Sequence, residues 1–250
     1  DHKNGPLRFQ IATPTFLPSG GYLRWSTTDL GFGFSELGSD AWVSQAVGTN
    51  VFRMVDTVDF GAAAREEPFG LHYRTDGESD FTELLNTTPS AANSMPRVGP
   101  VVFGELMISP RAGMPEFIEL VNLTDQPVTL YDPSIVTNTW RLRGGVDYVF
   151  PLSVVLNPCE PILVCSTNPA AFRAAYGLDG SVPVYGPWEG SLDRSGETQR
   201  LERPLDPEFD GFIPYGRVDR VVWRDYAPWP VPGVDSGLAL ERAPHRAYGN

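Results

Sequence analysis

Glu105 stands in a strand-like segment, 101–107, and Glu119 in segment 116–122, where Ile118 and Leu120 share one face as in a half-buried strand. Two carboxyls held side by side on neighbouring strands can act as a general acid and a general base. The same residues can instead bond loop and backbone groups at the end of a sheet, and that structural role is the expectation. Cys165 is the other candidate for covalent chemistry, but no His lies near it, and His2, His72 and His245 are scattered without ligand spacing. Six positions apart on one extended segment, Cys159 and Cys165 would have Cα atoms roughly 20 Å apart, so both are expected as free thiols.

Asp206, Glu208 and Asp210 supply oxygen ligands that calcium could use. They lack the spacing of a dedicated calcium loop, so a solvated turn is expected and no cofactor is required. The chain carries no G-x-S-x-G elbow, no phosphate-binding P-loop and no dinucleotide fingerprint. Aromatic loops are the more suggestive surface feature. Tyr185 and Trp188 flank Gly186-Pro187, while Tyr226 and Trp229 flank Ala227-Pro228. Rigid rings in loops anchor peptides or sugars at low entropic cost, whereas the same rings can plug the open ends of a sandwich.

These residues must be positioned by a chain of 250 residues with 41% hydrophobic and 12% aromatic side chains, which suffices for buried cores. Gly and Pro, at 25 and 24 residues, are frequent enough to mark many turns between short strands. A net charge of −12, with Lys3 as the only lysine, opposes a nucleic-acid partner, which requires a basic face. No run approaches 18 apolar residues, so no membrane span is expected. The sequence starts at Asp1 without a signal segment and reads as a mature product or an excerpt.

One helix is signalled, at 168–177, where Asn168 can cap, Pro169 fits the first position and Gly177 can close the end. Segments 128–130, 140–142, 148–150 and 162–164 read as further short strands. The expected class is therefore all-β, an antiparallel sandwich with one short helix.

The sequence also repeats itself. Residues 16–27 and 156–167 are similar at an offset of 140 positions. Each is followed by a Gly-centred turn, at Gly38 and Gly196. Each then reaches a strand with a recurring aspartate, Val55-Asp56-Thr57-Val58 and Val218-Asp219-Arg220-Val221. Such a long period implies two homologous domains. The breaks at Pro96, Gly99 and Pro100 place a linker at 95–100, between domains 1–94 and 101–250. Asp56 and Asp219 are expected to accept backbone N–H bonds at a bend. The first domain has no counterpart of segments 101–107 and 116–122. It is expected to begin downstream of its natural first strands, or else to borrow them.

Gly104-Glu105-Leu106-Met107, Glu116-Phe117-Ile118-Glu119-Leu120-Val121-Asn122 and Trp140-Arg141-Leu142 together resemble the opening of the lamin-tail domain. Gly190-Ser191-Leu192, Ser195-Gly196-Glu197, Val218-Asp219, Pro228-Trp229-Pro230 and Ser236-Gly237-Leu238-Ala239-Leu240-Glu241-Arg242 extend the resemblance along residues 101–250. Residues 1–94 resemble the latter part of another copy through Pro18-Ser19-Gly20-Gly21-Tyr22, Val55-Asp56 and Thr88-Pro89-Ser90-Ala91-Ala92-Asn93. Phe172-Arg173, Tyr185-Gly186-Pro187-Trp188 and Tyr248-Gly249-Asn250 are similar to copies in large bacterial secreted or cell-surface proteins.

The resemblance implies tandem immunoglobulin-like sandwiches acting as a non-catalytic accessory module, with no catalytic residues to carry over. The expected function is adhesion, spacing or partner binding within a larger exported bacterial protein, at the cell surface or outside the cell, beside other domains of the same polypeptide. The alternatives are a carbohydrate-binding module using Tyr185, Trp188, Tyr226 and Trp229, and a hydrolase using Glu105, Glu119 or Cys165.

Overall fold

The computed structural model describes residues 7–74, 77–230 and 232–249. His2, Lys3 and Asn250 lie outside them. The chain divides into two compact units between Arg97 and Val98. The fold is all-β, and the described residues contain two short helices where the sequence signals one.

Unit 1 begins with the unexpected helix, α1 (Thr27–Leu30). Ser26 and Asp29 close a reciprocal cap: Asp29 N–H donates to Ser26 Oγ at 3.2 Å and Ser26 N–H donates to Asp29 Oδ2 at 2.7 Å. A single turn held by its cap leaves no hydrophobic period to detect. Strands β1 (Gly38–Val47) and β2 (Asn50–Gly61) form one antiparallel hairpin, and β3 (Phe69–Tyr73) and β4 (Ser79–Glu83) form another. Phe60 of β2 joins the hairpins, with ring centroids 5.7 Å from Phe34, 5.3 Å from Phe69 and 6.2 Å from Phe81. Among the described residues, unit 1 is thus two hairpins around an aromatic cluster rather than a closed sandwich.

Unit 2 is a sandwich. Its strands are β5 (Val101–Leu106), β6 (Phe117–Asn122), β7 (Val128–Thr129), β8 (Arg141–Gly144), β9 (Val146–Val149), β10 (Val155–Leu156) and β11 (Pro161–Cys165). After helix α2 (Pro169–Tyr176) come β12 (Val184–Tyr185), β13 (Glu189–Gly190), β14 (Gly196–Pro204), β15 (Tyr215–Arg224) and β16 (Leu240–Glu241). One sheet has the order β12-β11-β6-β5-β16, the other β13-β9-β8-β14-β15, and β10 pairs with β7. Alternation drives the packing. Val101, Phe103, Ile118, Leu120, Ile162 and Val164 face Leu142, Val146, Leu201, Val221 and Trp223 in one core.

Asn168 Oδ1 accepts from Ala170 N–H at 2.9 Å, and Gly177 closes α2 in the left-handed region. Phe172 then packs with Met107, Phe117, Leu163 and Cys165 on the outer face of the first sheet. The crossover through α2 lets β12 lie parallel to β11, an exception to the antiparallel expectation.

The internal repeat survives in part. Residues 16–26 form no strand, because Pro18 accepts from Gly21 N–H at 2.9 Å and closes a turn, whereas half of the paired segment 156–167 is in strands. The hairpins that follow do match, β1–β2 against β14–β15. Gly38 and Gly196 open them at φ +105° and +120°, and a Cβ on either would lie 2.6 or 2.8 Å from the carbonyl oxygen of Phe60 or Trp223. Five residues on, Val43 faces Asp56 and Leu201 faces Asp219. The register then slips in both: Ser44 faces Met54 and Glu202 faces Arg217, so Val55 and Val218 are the extra residues of equivalent bulges.

Candidate functional site

The two aspartates at these bulges meet different surroundings. Asp219 is buried, and its Oδ2 accepts from the Phe103 backbone N–H at 2.9 Å and from Arg242 Nη2 at 2.7 Å. The strand β5 belongs to one sheet and β15 to the other, so this carboxylate ties the two layers together. Burial pushes the Asp219 carboxyl upward, and the Arg242 guanidinium together with the Phe103 and Arg220 amides pulls it back. The backbone-accepting role expected for this residue is therefore what the structure shows. Asp56 is exposed and accepts from the N–H of the next residue, Thr57, at 2.9 Å. Unit 1 presents no strand at the place β5 holds in unit 2, among the described residues.

A cleft of about 420 Å³ opens beside Asp56. Leu7, Phe9 and Trp25 line it with Trp42, Val43 and Val58 of the hairpin. Phe9 and Trp25 meet edge to face at 5.7 Å, and the Arg8 guanidinium lies 4.1 Å from the Phe32 ring centroid. The hairpin is apolar yet uncovered: Val43 is 49% exposed, Phe52 66% and Val55 51%. Such an exposed apolar patch is uncommon on a folded domain. The sequence carried two signs of it, the alternation of Leu7, Phe9 and Ile11 and the tryptophans Trp25 and Trp42, but their convergence depends on tertiary placement.

The carboxylate candidates do come together. Glu105 pairs across the strands with Glu119 on one side and Glu241 on the other. Burial raises the Glu105 carboxyl, with Glu119 and Glu241 adding to the effect. Burial also raises Glu119, which His245 pulls down and Glu241 pushes up. Nearby on the sandwich, Glu116 is raised by burial although Leu192 N–H donates to it at 3.2 Å. Each of the three carboxyls therefore holds a proton more readily folded than unfolded. Their contribution to stability is complete below the ordinary glutamate range and is lost as pH rises through the raised values.

Glu105→Gln is accordingly expected to stabilise unit 2 at pH 7 by about 0.5–1 kcal/mol, by removing like charges from adjacent strands. The gain should fade as pH is lowered toward about 4. Thermal unfolding at both pH values checks this, and destabilisation at pH 7 would show that the charge is needed.

Cys165 is buried, donates its thiol to Thr167 and Tyr185 carbonyls at 3.1 and 3.2 Å, and is pushed up by burial, which disfavours the nucleophilic thiolate. Cys159 is exposed, and both cysteines are free. Trp188 is buried within the sandwich core. Tyr185 and Trp229 are partly buried against that core, with Tyr185 edge-on to Phe150 at 6.1 Å. Tyr226 alone of the four loop aromatics is exposed, at 61%. Asp206, Glu208 and Asp210 occupy the loop joining β14 to β15, where Asp210 Oδ1 accepts from Phe212 N–H at 2.9 Å. No group of three or more His, Cys, Asp or Glu among the described residues is arranged to hold a metal ion. No described helix is long and apolar enough to cross a membrane.

Comparison with protein-family models, with curated proteins and with solved structures finds no match to this chain.

Proposed function

We propose that this chain is a non-catalytic binding and spacer module of a larger exported bacterial protein, lamin-tail-like in kind, with unit 1 holding a protein partner and unit 2 serving as a rigid support. The uncovered apolar hairpin β1–β2 carries this reading, because its counterpart β14–β15 is enclosed by strands of its own sandwich. Two buried amides of unit 2, Gln199 and Asn122, are committed to structure. Gln199 both accepts from Val146 N–H at 2.9 Å and donates to Val146 O at 3.1 Å, and Asn122 Nδ2 donates to Gln126 and Leu156 carbonyls. Rigid layers and an adhesive edge suit a module that holds or spaces other proteins.

The test is retention of the whole chain on isolated bacterial envelope fractions, compared with a Phe52→Asp, Val55→Asp double variant. Both residues are exposed, so folding should persist while retention falls roughly tenfold or more. Undiminished retention, or turnover in a hydrolase panel abolished by Glu119→Gln, would overturn the reading.

A further inference from the structure

We infer that the outer face of the sheet β13-β9-β8-β14-β15 binds the acidic face of a helix in a partner protein. Unit 2, the rigid support, thereby gains a contact surface of its own, beyond the partner held by unit 1. Residues opposite one another on neighbouring strands share a face, so register decides which side chains gather there. Arg143 of β8 faces Arg200 of β14, and Arg200 faces Arg220 of β15, which sets three arginines in one row across three strands. In the next row Arg141 and Arg217 stand on either side of Glu202. Their chain neighbours Leu142, Leu201, Val218 and Val221 are buried in the core, so both rows point away from it. Asp147 of β9 and Glu189 of β13, opposite each other, are the acids beyond these rows. Positive charge therefore prevails on this face of a chain whose net charge is −12. Like charges directly opposite on a sheet are unfavourable, and a bound anion relieves them.

The guanidiniums are held in place. Arg141 Nε donates to Glu202 Oε2 at 2.8 Å, and Arg200 Nε lies 3.1 Å from Glu202 Oε1. The Arg141 guanidinium also lies 3.6 Å from the Tyr215 ring centroid, and Arg143 Nη1 meets Asp147 Oδ2 at 3.0 Å. Arg141 and Arg200 thus turn Nε toward Glu202, and among the described residues no hydrogen bond takes up their Nη groups. Those forks suit a ligand carboxylate. Arg143 and Arg200 are open to one, with side chains 35% and 46% exposed. Val149, opposite Arg141 and 54% exposed, sets an apolar side chain beside the charges, which fits a protein segment better than a polyanion. The net charge of −12 also repels a long polyanion as a whole, whereas a short acidic stripe meets this face alone. The row of arginines crosses strands about 4.8 Å apart, and alternate residues of an extended segment are too widely spaced for it, at about 6–7 Å. Residues three and four apart on a helix, about 5–6 Å from one another, match it. Clustered arginines are a recurrent means of reading acidic motifs.

The experiment titrates a fluorescent, alanine-based helical peptide of about 20 residues with the whole 250-residue chain and follows anisotropy at about 0.05 M ionic strength. Its glutamates form one stripe, three and four residues apart, while a second peptide of the same composition spreads them around the helix. Saturable binding is expected for the striped peptide, about tenfold tighter than for the other. Arg200→Ala and Arg143→Ala should each weaken it roughly tenfold or more, the loss expected when a hydrogen bond between charged groups is removed. Unchanged thermal unfolding of the two variants assigns that loss to the face. Arg65→Ala, in unit 1 and 84% exposed, should leave binding as it was. Equal binding of the two peptides, absence of binding, or indifference to both arginine substitutions overturns the inference. So does tighter binding of an oligothymidylate of equal charge that is lost in the same variants, which would assign the face to polyanions.

Discussion

Asp219→Ala is expected to cost unit 2 about 3–5 kcal/mol, because breaking a buried ion pair strands the remaining charge. The Arg242 and Asp219 side chains retain 8% and 6% of their exposure, so water cannot replace the carboxylate. The Phe103 N–H would lose its acceptor at the same time, and the two sheets would lose the tie between β5 and β15. Asp219→Asn should cost less, since an amide oxygen can still accept one of these bonds although the charge is gone. Urea denaturation followed by tryptophan fluorescence measures both. A loss below about 1 kcal/mol for Asp219→Ala would mean the carboxylate is not a tie. At the equivalent but exposed Asp56, Ala should change stability by no more than about 0.5 kcal/mol.

The second large effect belongs to Trp223, which has no solvent exposure and whose Nε1–H donates to the Asp193 carbonyl at 2.8 Å. Trp223→Ala should cost about 3–5 kcal/mol, the range for emptying a buried aromatic site. Trp223→Phe keeps most of the apolar volume but removes the indole bond to the Asp193 carbonyl, which keeps only the Gly196 N–H at 3.4 Å, and should cost about 0.5–1.5 kcal/mol. The order Ala worse than Phe, read from denaturant midpoints at unchanged slope, is the expected result. Equal losses would place the cost in the hydrogen bond rather than in the packing.

Much of unit 2 was legible because local signals agreed with tertiary demand. Alternation in Ile118 and Leu120 gave a core strand, and Asn168, Pro169 and Gly177 gave the limits of α2. The parallel placement of β12 was not legible, since it depends on where the helical crossover returns the chain. The repeat was found through Gly38, Gly196, Asp56 and Asp219, whose types are dictated by backbone geometry. Residues 16–26, similar in letters to a strand-bearing segment, differ in fold because Pro18, Gly20 and Gly21 favour a turn. The loop aromatics show the limit most plainly. Spacing cannot distinguish Trp188, which fills the core, from Tyr226, which faces solvent. Nor could sequence bring residues 7–11, Trp25 and Trp42 into one cleft, as those contacts span long separations.

The account turns on one hairpin made twice, enclosed in unit 2 and open in unit 1. Native-state hydrogen exchange of the free chain tests this directly, by comparing backbone amides of β1–β2 with those of β14–β15. Exchange of β14–β15 only through global unfolding of unit 2, with β1–β2 exchanging orders of magnitude faster through local opening, is the predicted result. Equal, strong protection of both hairpins in the free chain would contradict it, because the first would then already have its cover.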